Sequence, residues 1–141
     1  MKRIITAFLS LALILSCGTD VYAEEDFETP EEDIIIDEYI YTYSISNSLS
    51  ITNNTASCIS IVVGHSNVTT KIRIEQTLQK KNGSSWSDKV IFTNIYNSNV
   101  AIYSTQKSGL ASGTYRLKTV AKVYSGDDYE TVTKYSSTCT C

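Results

Sequence analysis

The stretch from Tyr115 to Val123 alternates between two kinds of side chain. Its odd-numbered positions are mostly apolar, whereas its even-numbered positions carry Arg116, Lys118 and Lys122. A period of two residues is typical of a half-buried antiparallel strand, because successive side chains point to opposite faces. We therefore predict a strand that buries Leu117 and turns its basic side chains to water.

Similar patterns predict six more strands, which are separated by turn signals such as Asn53-Asn54 and Asn82-Gly83. In the first of them Tyr41, Tyr43 and Ile45 alternate, and the second is apolar on both faces, as a central strand is. The expected ranges are 39–51, 55–63, 70–81, 86–93, 100–105 and 129–136. Seven short strands with no helical period between them predict an all-β, immunoglobulin-like antiparallel β-sandwich. Such a core requires four buried side chains: Ile72, Ile74, Leu117 and Val123.

Gly113-Thr114-Tyr115 at the start of the sixth strand is typical of a tyrosine corner, in which the tyrosine hydroxyl binds nearby backbone. In antibody-type domains a cysteine of the second strand is bonded to a cysteine two residues after that tyrosine. Here Cys58 lies on the second strand, but Leu117 occupies the other position. The usual bridge is therefore excluded, and the likeness to antibody domains is one of topology at most.

The N-terminus has the layout of a secretory signal peptide. Lys2 and Arg3 precede an apolar run over 4–15, and Val21-Tyr22-Ala23 offers a cleavage site. The run is too short to span a membrane, so we expect a secreted protein without a transmembrane segment. Alternatively, Ser16-Cys17-Gly18 within Ile14–Gly18 resembles the lipid-attachment box of bacterial lipoproteins, which would anchor the chain to a membrane through Cys17.

Charge divides the rest of the chain. Residues 24–38 contain nine acidic and no basic residues. From Tyr39 onward the chain contains ten Lys and Arg and five Asp and Glu, which gives a net charge of +5. Like-charge blocks repel one another, so we predict a disordered leader; folding of this leader against the basic domain is the alternative. The expected organisation is signal peptide 1–23, acidic leader 24–38, sandwich 39–137 and a Cys-containing tail 138–141.

The cysteines and the single histidine limit the chemistry. In an exported protein Cys58, Cys139 and Cys141 are candidates for a disulfide or for a Cys-linked dimer, and their pairing stays open. His65 stands alone, so no metal-ligand cluster or cofactor is expected. There is no Gly-x-Ser-x-Gly motif or phosphate loop, and we predict a protein that is not an enzyme. A paired-carboxylate site for sugar hydrolysis would have to use two of the five acidic residues after Tyr39, which are Glu75, Asp88, Asp127, Asp128 and Glu130.

Two kinds of binding are compatible with these residues. Trp86 and the ten tyrosines could stack on a glycan, and the stripe of Arg116, Lys118 and Lys122 could bind an anionic cell-wall polymer. Association with an extracellular protein through open sheet edges is the other hypothesis. Nucleic acid is not an expected partner, because no reading motif is present.

Four segments in order resemble a family of small secreted proteins of Firmicutes-type Gram-positive bacteria. They are Gln76–Lys81, Ser84–Ser87, Ser112–Lys118 and Glu130–Ser137. The resemblance covers most of residues 40–137 and implies export and a small all-β domain. The family has no assigned activity, so the resemblance implies no catalytic residues.

Overall fold

The structure, a computed structural model, describes residues 39–141. The predicted signal peptide, Cys17 and the acidic leader lie outside the described residues. All seven predicted strands are present, and an eighth follows them. The strands are β1 (Thr42–Thr52), β2 (Thr55–Gly64), β3 (Lys71–Asn82), β4 (Ser85–Tyr96), β5 (Val100–Lys107), β6 (Thr114–Ser125), β7 (Asp128–Tyr135) and β8 (Cys139–Thr140).

The strands form two antiparallel sheets that pack face to face, which confirms the β-sandwich. One sheet has the order β1-β2-β5, and the other has the order β4-β3-β6-β7 with β8 also paired to β6. The strand β2 is central, as its two apolar faces predict. Residues 39–141 contain no helix, and hence none that is long and apolar enough to cross a membrane.

Every second side chain fills the space between the sheets. Ile72 and Ile74 of β3 and Leu117 and Val123 of β6 are all fully buried, as the alternation requires. Burial of each such side chain contributes about 1.5–3 kcal/mol to stability. The core has two apolar clusters, one around Leu78, Tyr115 and Leu117 and the other around Ile72, Ile74 and Val123.

A layer of hydrogen-bonded polar side chains lies between the two clusters. The Gln76 amide donates to Ser60 Oγ at 2.9 Å and to the Tyr103 carbonyl at 3.0 Å, and its Oε1 accepts from Thr105 at 2.6 Å. Ser60 and Thr119 share a hydrogen bond of 2.7 Å across the sheets. Because the partners satisfy one another, these groups can be buried without an orphaned amide.

Two features differ from the strand pattern. The pairing of β1 with β2 shifts between Thr42 and Ser44, so Tyr43 is an extra residue and its side chain is 73% exposed rather than aligned with Ile45. At the C-terminus, Cys139 and Thr140 pair with Tyr115 and Thr114, so part of the predicted tail is a strand of the sheet.

Candidate functional site

The start of β6 has the hydrogen bond expected of a tyrosine corner. The Tyr115 hydroxyl donates to the Ala111 carbonyl at 2.6 Å, and the side chain is 2% exposed. Burial raises the pKa of Tyr115, and the neighbouring Cys141 acts in the same direction. Gly113 precedes it with φ of 151°, where a Cβ would lie 2.5 Å from Lys80 Cε. Tyr115 and Gly113 thus serve the scaffold.

The three cysteines of residues 39–141 are free thiols. Cys58 is fully buried in the same apolar cluster as Leu117, and burial raises the pKa of its thiol, although a hydrogen bond with Thr105 opposes that effect. Cys139 Sγ lies 3.0 Å from the Leu49 carbonyl, and Cys141 Sγ lies 3.3 Å from Asn54 Oδ1. Cys58 therefore packs in the core as a protonated thiol.

Trp86 and Arg116 meet on the outer face of the five-stranded sheet. The Arg116 guanidinium carbon lies 4.3 Å from the Trp86 ring centroid and 4.2 Å from that of Tyr135. Arg116 Nε donates to Gln79 Oε1 at 2.8 Å, and the Gln79 amide donates to Asp88 at 2.8 Å. Trp86 is thus half-buried beneath a cation, rather than an open platform for a sugar ring.

The other two predicted basic residues lie along the same face. Lys122 Nζ is 4.8 Å from the Tyr129 ring centroid. Next to it, Lys71 Nζ is 4.1 Å from the Tyr124 ring, which in turn lies 5.2 Å from the Tyr129 ring. Lys118 pairs in register with Tyr135, so it lies between these two groups. We call this surface the basic–aromatic face; it comprises Lys71, Trp86, Arg116, Lys118, Lys122, Tyr124, Tyr129 and Tyr135.

Two acidic side chains lie on the same side of the sheet, where Asp88 accepts from Gln79 and Glu75 lies opposite Val120, between Lys118 and Lys122. Glu75 pairs with Arg73 at 3.4 Å, and the Glu130 carboxylate accepts hydrogen bonds from the backbone amides of Ile40, Tyr41 and Thr42 at 2.6–2.9 Å. Within residues 39–141, no three His, Cys, Asp or Glu side chains are grouped so that they could hold a metal ion. Lys118 and Lys122 make no salt bridge within residues 39–141.

The opposite outer face, on the three-stranded sheet, is aliphatic. Ile61 pairs with Ile102 and Val63 with Val100, and Ile59 lies next to them on β2. Ile102 is 60% exposed, and Ile59 and Ile61 are 38% and 37% exposed. Strand β1 borders this aliphatic patch with serines, because Ser46 and Ser48 pair with Ile61 and Ile59. Ile91 and Ile95 of β4 are exposed on the other outer face, at 55% and 54%, so the two outer faces differ mainly in charge.

Comparison of the chain with protein-family models and with curated proteins identified no related protein. No protein-family model matches the chain, and no curated protein matches it significantly. The resemblance to the small secreted Firmicutes-type family therefore stays a prediction.

Sequence analysis missed the aromatic half of the basic–aromatic face. Tyr124, Tyr129 and Tyr135 lie on outward-facing positions of β6 and β7, next to the basic residues. Tyr124 continues the outward, even-numbered positions of β6, and Tyr129 and Tyr135 alternate with Val132 on β7; these two patterns were the signal that could have placed the three tyrosines. Pairing of β7 with β6 then decides which tyrosine meets which cation.

Proposed function

We propose that this protein is an extracellular, non-enzymatic binding module whose basic–aromatic face recognises an anionic polysaccharide or cell-wall polymer. The observation that carries the proposal is the arrangement of Arg116, Lys118 and Lys122 on one strand, flanked by aromatic rings at both ends. Export, as the N-terminal pattern predicts, would place such a surface in contact with polymers of this kind.

The length of the face supports an extended ligand. Arg116 and Lys122 are six residues apart on β6, which corresponds to roughly 20 Å along a strand. Neighbouring outward positions are about 6.6 Å apart, so Arg116 and Lys118 can meet successive charged groups of a polymer with short repeats. A single small anion would engage only one end of this surface.

Arg116 supports recognition of an anion because its position is already set. Its Nε is bound to Gln79, and its plane is held by Trp86 and Tyr135, so little side-chain entropy is lost on binding. Its two Nη groups make no hydrogen bond to any residue in 39–141 and remain available to a phosphate or carboxylate. A sugar, by contrast, would have to displace the guanidinium before it could stack on that side of Trp86.

We also propose that the sandwich is immunoglobulin-like. The strand order and the corner formed by Tyr115 at the sixth strand support this assignment.

Binding to a phosphodiester polymer tests the proposal. We expect the protein to bind poly(glycerol phosphate) in titration calorimetry, and to bind a neutral glucan of similar length much more weakly. Lys118→Gln should weaken binding about fivefold, since one exposed ion pair is worth up to about 1 kcal/mol. The affinity should also fall as salt is added, because charges at the surface are screened.

Lys134→Gln is the matched control, because Lys134 is an exposed lysine on the adjacent strand β7 but lies off the face. Equal losses in Lys118→Gln and Lys134→Gln would contradict the assignment to this face. Equal binding of the neutral glucan would contradict recognition of charge and favour stacking on the aromatic rings.

The aliphatic patch favours association with protein as a second candidate function. Exposed Ile102 and Ile61 on a flat sheet are of the kind buried between subunits. Sedimentation at rising protein concentration tests self-association: a dimer that Ile102→Ser abolishes would support it, and a monomer throughout would contradict it.

A further inference from the structure

A second basic site lies at one end of the sandwich, away from the basic–aromatic face. A cavity of about 240 Å³ opens there between the side chains of Lys80, Lys89 and Lys107. Exposed Ala111 and the edge of Leu110 form its apolar floor, and buried Tyr115 lies beneath them. Lys80 belongs to this cavity rather than to the outer face, because its neighbours Gln79 and Lys81 point to the opposite side of β3.

Local irregularities of the backbone bring the three lysines together. In the pairing of β3 with β4, Leu78 faces Val90 and Gln79 faces Asp88, so Lys89 is an extra residue in a bulge. A bulge redirects a side chain that regular pairing would point elsewhere, and bulges are common beside functional sites. Lys107 ends β5, and Gly109 follows with a left-handed φ of 71° that turns the chain around the cavity.

The Lys80 side chain packs into the space that is left because Gly113 has no side chain. Its Cε occupies the space where a Cβ on Gly113 would lie, and its Nζ is 5.8 Å from the Tyr115 ring centroid. The lysine is half-buried as a result, whereas Lys89 and Lys107 are exposed at the rim. One ammonium group is therefore positioned deep in the site and two near its mouth.

The positive charge of this cavity is uncompensated. No acidic side chain lines it, and the one salt bridge found within residues 39–141 joins Arg73 to Glu75 on another part of the sheet. Three like charges around one cavity repel one another, and an anion placed between them would relieve that repulsion. Lysine is a common ligand of phosphate, which it binds as a point charge.

We propose that this cavity is a binding site for the phosphate group of a small phosphate ester. The ammonium groups of Lys80, Lys89 and Lys107 would bind the phosphate, and Ala111 with the edge of Leu110 would contact the carbon part of the ester. The cavity is large enough for a group of that size but not for an extended polymer. This site is separate from the basic–aromatic face, and it takes a different ligand.

The experiment titrates the full chain with phenyl phosphate and with inorganic phosphate, followed by amide NMR shifts of Leu110 and Ala111. We expect both ligands to shift these signals, with tighter binding of the ester. The double variant Lys89→Gln/Lys107→Gln should bind the ester about tenfold more weakly, since two exposed charge contacts are lost. Both positions are exposed, so the variant should fold normally.

The control is Lys118→Gln/Lys122→Gln, which removes the same charge from the basic–aromatic face. It should leave binding of the ester unchanged, so failure at this site is distinguishable from failure of the proposed polymer surface. Unshifted Leu110 and Ala111 signals, or equal losses in both double variants, would overturn the proposal. Equal affinities for ester and inorganic phosphate would overturn the role given to the apolar floor.

Discussion

At the scale of single residues, Tyr115 joins local chain geometry to the core. Its ring fills the apolar cluster around Leu117, while its hydroxyl reaches the Ala111 carbonyl in the loop before β6. A buried hydroxyl with no partner would cost stability, so the loop must keep this carbonyl in place. The Tyr115 side chain thus holds the loop at Ala111 in position at the start of β6.

Tyr115→Phe should lower the free energy of unfolding by about 1–2 kcal/mol, because it removes the hydrogen bond and leaves the carbonyl without its donor. Urea denaturation measures the change. Tyr124→Phe is the matched control, since its hydroxyl makes no hydrogen bond within residues 39–141 and its ring packs at the surface. Equal midpoints for the two variants would argue against a stabilising corner.

The free energy of unfolding should also depend on pH differently in Tyr115→Phe and in wild type. Burial raises the pKa of the Tyr115 hydroxyl, so the folded state holds that proton more tightly than the unfolded state does. The contribution is complete below the ordinary tyrosine pKa of about 10 and is lost as the pH rises through the higher folded value. The stability gap between wild type and Tyr115→Phe should therefore narrow above pH 10, and a constant gap would contradict this.

At the scale of elements, the ends of the described region are fastened by side chains and by a short strand. Glu130 of β7 accepts three consecutive backbone amides where the chain enters β1, just before the bulge at Tyr43. Strand β8 closes the other end, where Gly113 and Cys141 exchange two backbone hydrogen bonds. Both fastenings join parts of the chain that are far apart in sequence.

Glu130→Ala should destabilise the protein by about 1–3 kcal/mol, because hydrogen bonds to a charged acceptor are stronger than neutral ones. Hydrogen exchange should show faster exchange of the Ile40–Thr42 amides than in wild type. Glu75→Ala is the control, since it removes only a half-exposed ion pair worth at most about 1 kcal/mol. Unchanged protection at Ile40–Thr42 in Glu130→Ala would exclude this role.

At the scale of the whole molecule, the polar layer couples the two sheets. Gln76 of β3 reaches Ser60 of β2 and Thr105 and Tyr103 of β5, so its amide spans the interior. Apolar contacts tolerate small shifts between sheets, whereas these hydrogen bonds require one register. The layer therefore selects one packing of the sheets as well as adding to stability.

Gln76→Ala should cost about 2–4 kcal/mol, because it opens a void and leaves buried hydroxyl and carbonyl groups without partners. Thermal unfolding followed by circular dichroism measures the loss. Gln106→Ala serves as the control; this glutamine lies exposed on β5 and should change stability by less than about 0.5 kcal/mol. Similar losses in both variants would refute a special role for the layer.

The alternating pattern of the sequence was enough to predict the strands and the face to which most side chains turn. Alternation is a local property of extended backbone, so Leu117 and Val123 could be assigned to the core, and Arg116, Lys118 and Lys122 to the surface, without knowing any neighbour. The hairpin at Asn82-Gly83 and the tyrosine corner were predictable for the same reason, since each depends on residues close together in the chain.

The surface residues that meet are determined by the pairing of strands that are distant in the chain. Arg116 lies between Trp86 and Tyr135 because β6 forms its outer face with β3, β4 and β7, and those pairings join distant parts of the chain. The bulges at Tyr43 and Lys89 and the pairing of β8 also follow from register, which an alternating pattern leaves open to a shift of two residues. The cavity between Lys80, Lys89 and Lys107 depends on the bulge at Lys89 and on residues that are distant in the chain, so no local pattern could reveal it.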